Sequence, residues 1–102
     1  MKKISILLVG LLFVGMQVIL AQTKQITGTV TSSDDGMPLP GVSVVVKGTS
    51  IGITTDIDGE YELNVPEDAN TLVFSFVGMQ TQEVAIDDRS TVDVVMQPDL
   101  VG

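Results

Sequence analysis

The sequence predicts an all-β domain, built as a small seven-stranded β-sandwich and preceded by a signal-peptide helix. Apolar and polar residues alternate with a period of two from Gln25 onward, and Gly, Pro, Asp and Asn recur at short intervals. This combination is typical of short strands joined by tight turns, as in immunoglobulin-like and transthyretin-like sandwiches. The predicted strands cover residues 25–31, 42–47, 50–55, 60–65, 71–77, 79–86 and 91–96.

The alternation assigns an inner face to each predicted strand. In the second strand Val42, Val44 and Val46 point inward, and in the fifth Leu72 and Phe74 do so. Because the fifth strand is apolar on both faces, we expect it to be an inner strand of its sheet. Other inward positions are predicted at Ile26, Gly28, Val30, Tyr61, Leu63, Val65, Phe76, Val84, Ile86, Val92, Val94 and Met96. In the third strand, Ile51 and Ile53 are predicted to share one face.

Residues 1–21 have the three-part layout of a secretory signal peptide. Lys2 and Lys3 precede an apolar run over residues 4–20, which ends at the small residue Ala21. We expect cleavage after Ala21, which leaves a domain over residues 22–98 and a short tail over 99–102. The alternative is an uncleaved membrane anchor, although the apolar run is at the short limit for crossing a bilayer.

The composition of the chain after the signal excludes several functional classes. Residues 22–102 carry all 13 acidic residues against Lys24, Lys47 and Arg89, a net charge of −10. Such a surface repels nucleic acid and anionic membranes. The chain has no His and no Cys, which removes the commonest general base, the strongest nucleophile, thiolate metal ligands and disulfides. The sequence therefore predicts a protein that is not an enzyme and that uses no cofactor.

The stretch TTDIDGEYEL, residues 54–63, is the strongest candidate for a binding site. It concentrates four carboxylates around Gly59. An EF-hand loop aligned on that glycine would have Thr54 first and Val65 twelfth, so the first ligand is weak and the bidentate last one is missing. A looser calcium site that joins this stretch to a second loop stays open, with ligands from Asp34, Asp35, Asp56 and Asp58.

A structural interpretation of the same stretch is a tight β-hairpin. Asp58 followed by Gly59 between two alternating segments is a strong turn signal, since Gly accepts a positive φ and Asp bonds nearby backbone amides. The hairpin would place residues of the third and fourth strands opposite each other, namely Ile53, Thr55, Tyr61 and Leu63. Tyr61, Phe74 and Phe76 are interpreted as core residues and not as a platform for sugar rings.

Long motifs of the chain resemble a known family. The sequence ITGTVTSSDDGMPLPGVSVVVKGTSIGITTDIDGEYELNVP, followed by LVFSFVGMQTQEVAI, resembles the carboxypeptidase-regulatory-like domain. More narrowly, it is similar to the version at the N-terminus of SusC/RagA-type TonB-linked outer-membrane receptors. Two positions depart from the family pattern, Ile53 where Thr is frequent and Met79 where an aromatic residue is frequent.

The resemblance implies a non-catalytic periplasmic domain that extends a nutrient receptor for glycans or peptides. Its place would be the inner face of the outer membrane, and its partner a protein, either the receptor plug and barrel or a periplasmic energy-coupling component. Contact with a membrane would come only through the attached receptor or an uncleaved signal. The plug and barrel lie outside residues 22–98, so we expect no transport by this domain alone. A secreted glycan-binding or calcium-binding module is the alternative. The positions that the resemblance marks as fold-defining are Gly28, Pro40, Gly41, Gly48, Thr49, Asp56, Asp58, Gly59, Tyr61 and Gly78.

Overall fold

The computed structural model describes residues 22–99, and the predicted signal peptide over 1–21 lies outside these residues. Residues 100–102 of the predicted tail also lie outside them. The strands are β1 (Thr23–Ser32), β2 (Ser43–Val46), β3 (Gly52–Thr54), β4 (Glu60–Pro66), β5 (Thr71–Ser75), β6 (Gln82–Ala85) and β7 (Val94–Met96). Within the described part, no helix is long and apolar enough to cross a membrane.

The strands form two sheets that enclose one core. One sheet has the order β4-β1-β7 and the other the order β3-β2-β5-β6. All pairs are antiparallel except β1 with β7, which run parallel. Such a two-sheet arrangement with strands of one apolar face is a β-sandwich, so the predicted fold class is confirmed.

Burial follows the period-two pattern of the strands. In β1, Ile26 and Val30 are fully buried, whereas Thr27 and Thr29 on the other face are half-buried. The remaining buried apolar side chains are Val42, Val44, Val46, Tyr61, Leu63, Val65, Leu72, Phe74, Ile86, Val92, Val94 and Met96. Phe76 and Val84 are half-buried and pack against this core. The predicted inner position of β5, between β2 and β6, is also confirmed.

The third strand differs from its prediction. It covers three residues instead of the predicted six, and the two isoleucines placed on one face, Ile51 and Ile53, keep 38% and 42% of their surface exposed. Strand β3 contains Ile53 and directly follows Ile51, and it forms an edge of its sheet, so no neighbouring strand covers that side. A period-two pattern identifies the face of a strand but carries no information on its distance from the sheet edge.

The predicted hairpin between the third and fourth strands is wrong. β3 pairs with β2 in one sheet, whereas β4 pairs with β1 in the other. Ile53 is the partner of Val44, and Leu63 is the partner of Ile26. The turn at residues 56–59 therefore carries the chain from one sheet to the other.

Candidate functional site

The acidic turn, residues 56–60, is held by the carboxylate and the backbone of a single residue. Oδ1 of Asp56 accepts hydrogen bonds from the amides of Asp58 and Glu60, each at 2.9 Å. The Asp56 amide donates to the Glu60 carbonyl, and the Gly59 amide donates to the Asp56 carbonyl, also at 2.9 Å. Asp56 thus acts as a local capping residue of the turn, which is a frequent use of Asp in loops.

Gly59 lies where the turn meets strand β1. Its φ of +73° is in the left-handed region, and its carbonyl accepts a bond from the Val30 amide at 2.8 Å. A Cβ at this position would lie 2.7 Å from the Val30 carbonyl oxygen and 2.8 Å from Cβ of Pro38. Both the backbone conformation and the lack of space therefore require glycine here.

Thr55, directly before the acidic turn, has a structural role other than the hairpin position predicted from the sequence. It is buried, its hydroxyl accepts a bond from the Val42 amide at 3.0 Å, and it donates to the Leu39 carbonyl at 2.6 Å. These bonds tie the end of β3 to the chain entering β2. Nothing in the local sequence distinguishes Thr55 from the other threonines, because its partners Val42 and Leu39 lie 13 and 16 residues earlier in the chain.

Tyr61 anchors the other end of the turn in the core. Its hydroxyl donates to the Val92 carbonyl at 2.5 Å, and its ring meets Phe74 edge to face with centroids 5.6 Å apart. Burial raises the pKa of Tyr61, and the nearby carboxylate of Asp93 raises it further. The interpretation of Tyr61 as a core residue agrees with this burial.

The other fold-defining positions implied by the family resemblance lie in separate parts of the domain. Gly28 faces Tyr61 across the β1–β4 ladder. Thr49 closes the β2–β3 turn, because its hydroxyl donates to the Val46 carbonyl at 2.9 Å and accepts from the Ile51 amide at 3.0 Å. The remaining positions lie in connections between strands, at Pro40, Gly41, Gly48 and Gly78. Gly28 lines the same surface depression as Asp56 and Tyr61, whereas Thr49 and the residues in the connections do not.

A shallow depression of about 570 Å³ lies beside the acidic turn. It extends from β3 across the outer face of the sheet that contains β4 and β1. Its polar lining combines hydroxyls with carboxylates, from Thr27, Thr29, Thr54, Thr91, Asp56, Glu60, Glu62 and Asp93. Three of these carboxylates are already engaged. Asp56 holds the turn, Glu62 accepts a bond from the Gln25 side chain, and Oδ1 of Asp93 accepts a bond from the Thr29 amide at 2.9 Å. Asp93 is a residue that sequence reasoning missed.

The carboxylates of the described residues do not assemble into a metal site. Between residues 22 and 99, no group of three or more Asp and Glu side chains is placed to hold a metal ion. Calcium takes about six to eight oxygen ligands, so a pair of carboxylates is a poor site. The second loop proposed from sequence uses one carboxylate locally, because Oδ1 of Asp35 accepts a bond from the Met37 amide at 2.9 Å.

The strands and their two sheets define this chain as a small β-sandwich domain. Its sequence agrees, since residues 26–100 match the model of the CarboxypepD_reg-like domain. The chain belongs to this family, as its motifs indicated.

Relatives of the chain are TonB-dependent receptors. It is 46% identical over 95 residues to TonB-dependent receptor P3 of Formosa agariphila, which covers 93% of this chain and 9% of the receptor. It is 32% identical over 99 residues to TonB-dependent receptor SusC of Bacteroides thetaiotaomicron, covering 97% of this chain and 9% of that receptor. The chain thus spans less than a tenth of the length of the curated relatives it matches.

Solved structures share the fold at low sequence identity. A chain of a type II cohesin-X-dockerin complex from Acetivibrio cellulolyticus superposes with a TM-score of 0.56 and 17% identity. The match covers 74% of this chain and 58% of that chain. This likeness supports the sandwich architecture and carries no information on function.

Proposed function

We propose that residues 22–98 form a non-catalytic accessory domain of a TonB-dependent outer-membrane receptor for a nutrient such as a glycan or a peptide. The domain is exported by the signal over residues 1–21 and works in the periplasm, at the inner face of the outer membrane. It acts through contacts with protein, either the receptor plug and barrel or a component that couples energy to uptake. No nucleic acid is involved, and the domain contacts a membrane only through the attached receptor or an uncleaved signal.

The observation that carries this proposal is the match with receptor P3, which spans 93% of this chain at 46% identity. The architecture is consistent with it. The acidic turn uses its central carboxylate to hold its own backbone, and Tyr61 uses its hydroxyl to bind the Val92 carbonyl. Catalysis by carboxylates needs two groups that face a cleft and differ in their environments. The hydrogen bonds of Asp56 tie this group to the turn, which supports a structural role for it.

A glycan-binding module is the competing function, and the burial of aromatic residues disfavours it. Sugar rings are bound by exposed aromatic faces. In the described residues, Tyr61 and Phe74 lie in the core with 4% and 0% of their surface exposed, and Phe76 is half-buried. These side chains therefore stabilise the sandwich and offer no flat surface to a sugar.

Deletion of the domain from the receptor that carries it tests the proposal. Residues 26–98 are removed while the segment before them is kept, and substrate binding to cells is measured alongside the rate of uptake. We expect binding to be retained and uptake to fall several-fold, because a periplasmic contact affects the coupled step and not the extracellular site. Immunoblots of the outer membrane control for receptor abundance. Equal uptake rates at equal abundance, or a coding sequence without a plug and barrel, would contradict the proposal.

A further inference from the structure

Strand β3 presents an unpaired edge. The Val46 amide donates to the Ile51 carbonyl and the Thr55 amide to the Val42 carbonyl, so both flanks of β3 bond toward β2. Backbone groups alternate in direction along an antiparallel strand, which turns the amides and carbonyls of Gly52 and Thr54 away from β2. No hydrogen bond involves these outward groups within residues 22–99.

Two of the other sheet edges are protected. The β7 edge is bridged by the chain leading into β6, since the Gln80 amide donates to the Gln97 carbonyl at 2.8 Å and the Gln82 side chain donates to the Val95 carbonyl at 2.8 Å. The edge strand β4 carries Glu60 and Glu62 and ends at Pro66. Charges, proline and covering segments are the usual means by which proteins block unwanted strand pairing.

The β6 edge is protected by a charge, whereas β3 has none of these devices. Glu83 stands on β6 and pairs with Lys47, Oε1 to Nζ, at 2.6 Å. β3 has the sequence GIT, with neither charge nor proline, and the side chains of Ile53 within it and of Ile51 just before it are more than a third exposed. An unprotected edge with exposed apolar residues is suited to pairing with another strand.

The negative charge next to β3 favours a partner strand that carries basic residues. Ile53 and Thr54 line the depression that also contains Asp56, Glu60 and Glu62. Across residues 22–99, 13 acidic residues face three basic ones. A strand that brings Lys or Arg would be attracted to this edge, whereas a second copy of this chain would be repelled.

We propose that the β3 edge binds an extended, cationic segment of a partner polypeptide, which adds a fifth strand to the sheet. The outward amides and carbonyls of Gly52 and Thr54 bond the segment's backbone, and its basic side chains lie over the acidic depression. This inference rests on the proposed function, because the biological partner of the edge would be a protein that the receptor domain contacts. The edge chemistry itself can be measured independently of any receptor.

The probe is a capped hexapeptide of alternating valine and lysine, titrated into the chain purified from the periplasm and followed by amide resonances in NMR spectra. We expect saturable shifts centred on Gly52, Ile53 and Thr54, which weaken as salt is raised because the contacts are partly ionic. The matched peptide of alternating valine and glutamate should give no such shifts. A version of the lysine peptide with methylated backbone nitrogens should also fail, since it cannot form the strand hydrogen bonds.

Two pairs of variants locate the binding edge. T54P removes an outward amide, which an edge strand tolerates, and should weaken peptide affinity about tenfold, whereas T54V keeps the amide and should not. I53K places a cation beside the depression and should weaken affinity by a similar factor. V77K makes the same charge change at a residue that is 93% exposed in the β5–β6 turn and serves as its control. Circular dichroism confirms that each variant is folded.

Several results would overturn the inference. They are shifts centred on Glu62, Asn64 or Glu83, equal binding of the glutamate peptide, full binding by folded T54P, or dimerisation of the free chain through β3. Failure of the receptor role gives a different pattern. Peptide binding at β3 together with unchanged uptake after deletion would support the edge inference and contradict the receptor function. Reduced uptake without peptide binding would support the receptor function and contradict the edge inference.

Discussion

Replacement of Gly59 by valine is expected to lower the free energy of unfolding by about 2–5 kcal/mol. A side chain in the left-handed region costs about 1–2 kcal/mol, and forcing atoms into a packed space costs about 1–3 kcal/mol more. The space is occupied by backbone, since a Cβ would lie 2.7 Å from the Val30 carbonyl oxygen and 3.0 Å from the Leu39 nitrogen. A domain of this size is stable by roughly 4–12 kcal/mol, so the loss is a large part of the total.

Urea unfolding followed by circular dichroism measures this loss, and alanine variants separate its two causes. Gly48 has a φ of +81°, yet no atom lies within 4 Å of the position where its Cβ would be. G48A therefore reports backbone strain alone, whereas G59A adds the steric contact and should cost at least about 1 kcal/mol more. D56N keeps the Oδ1 acceptor of the turn and should cost less than about 1 kcal/mol. Equal stability of G59V and D56N would contradict this explanation of the turn.

Replacement of Gly28 by alanine is expected to have an effect of similar size, for a different reason. Gly28 has no positive φ, but a Cβ there would lie 1.9 Å from the Val92 carbonyl oxygen and 2.8 Å from the Tyr61 ring. The clash involves backbone, so the segment before β7 would have to move. That movement would break the 2.5 Å hydrogen bond from the Tyr61 hydroxyl, and we expect a total loss of about 3–5 kcal/mol.

An edge glycine supplies the comparison for Gly28. A Cβ on Gly52 would lie 2.8 Å from the Val44 carbonyl oxygen, also backbone, but its strand is at the edge of the sheet and can shift outward. G52A should therefore cost clearly less than G28A in thermal melts and urea titrations. If G28A melts at the temperature of the unsubstituted chain, the close approach of β1 and Val92 is not a constraint on the fold.

Much of the fold could be predicted from the sequence because burial in a sandwich follows local alternation. The valines at 42, 44 and 46 have 0–3% of their surface exposed, as the period of two requires. Strand pairing could not be obtained in this way. The acidic turn has the same residues whether it joins paired strands or crosses between sheets. Which of the two occurs depends on strand pairing elsewhere. β4 pairs with β1 over seven residues, and β3 pairs with β2.

The local structure of the acidic turn was predictable from the sequence, but its long-range contacts were not. The local bonds of Asp56 and the conformation of Gly59 follow from turn chemistry that is visible in the sequence. The contributions of Thr55 and Asp93 depend on partners 13 to 64 residues away along the chain. The open β3 edge likewise depends on the order of strands in the sheet, which no short motif encodes.

The role of the acidic turn decides between a protein-contact domain and an ion-binding module. Calorimetric titration of the purified chain with calcium chloride tests this most directly, because a calcium site needs more oxygen ligands than the described carboxylates bring together. The expected result is heat of dilution only, with no rise of the melting temperature in millimolar calcium. Saturable heat at micromolar calcium that disappears in D56N would contradict the structural role of the turn and favour the binding module.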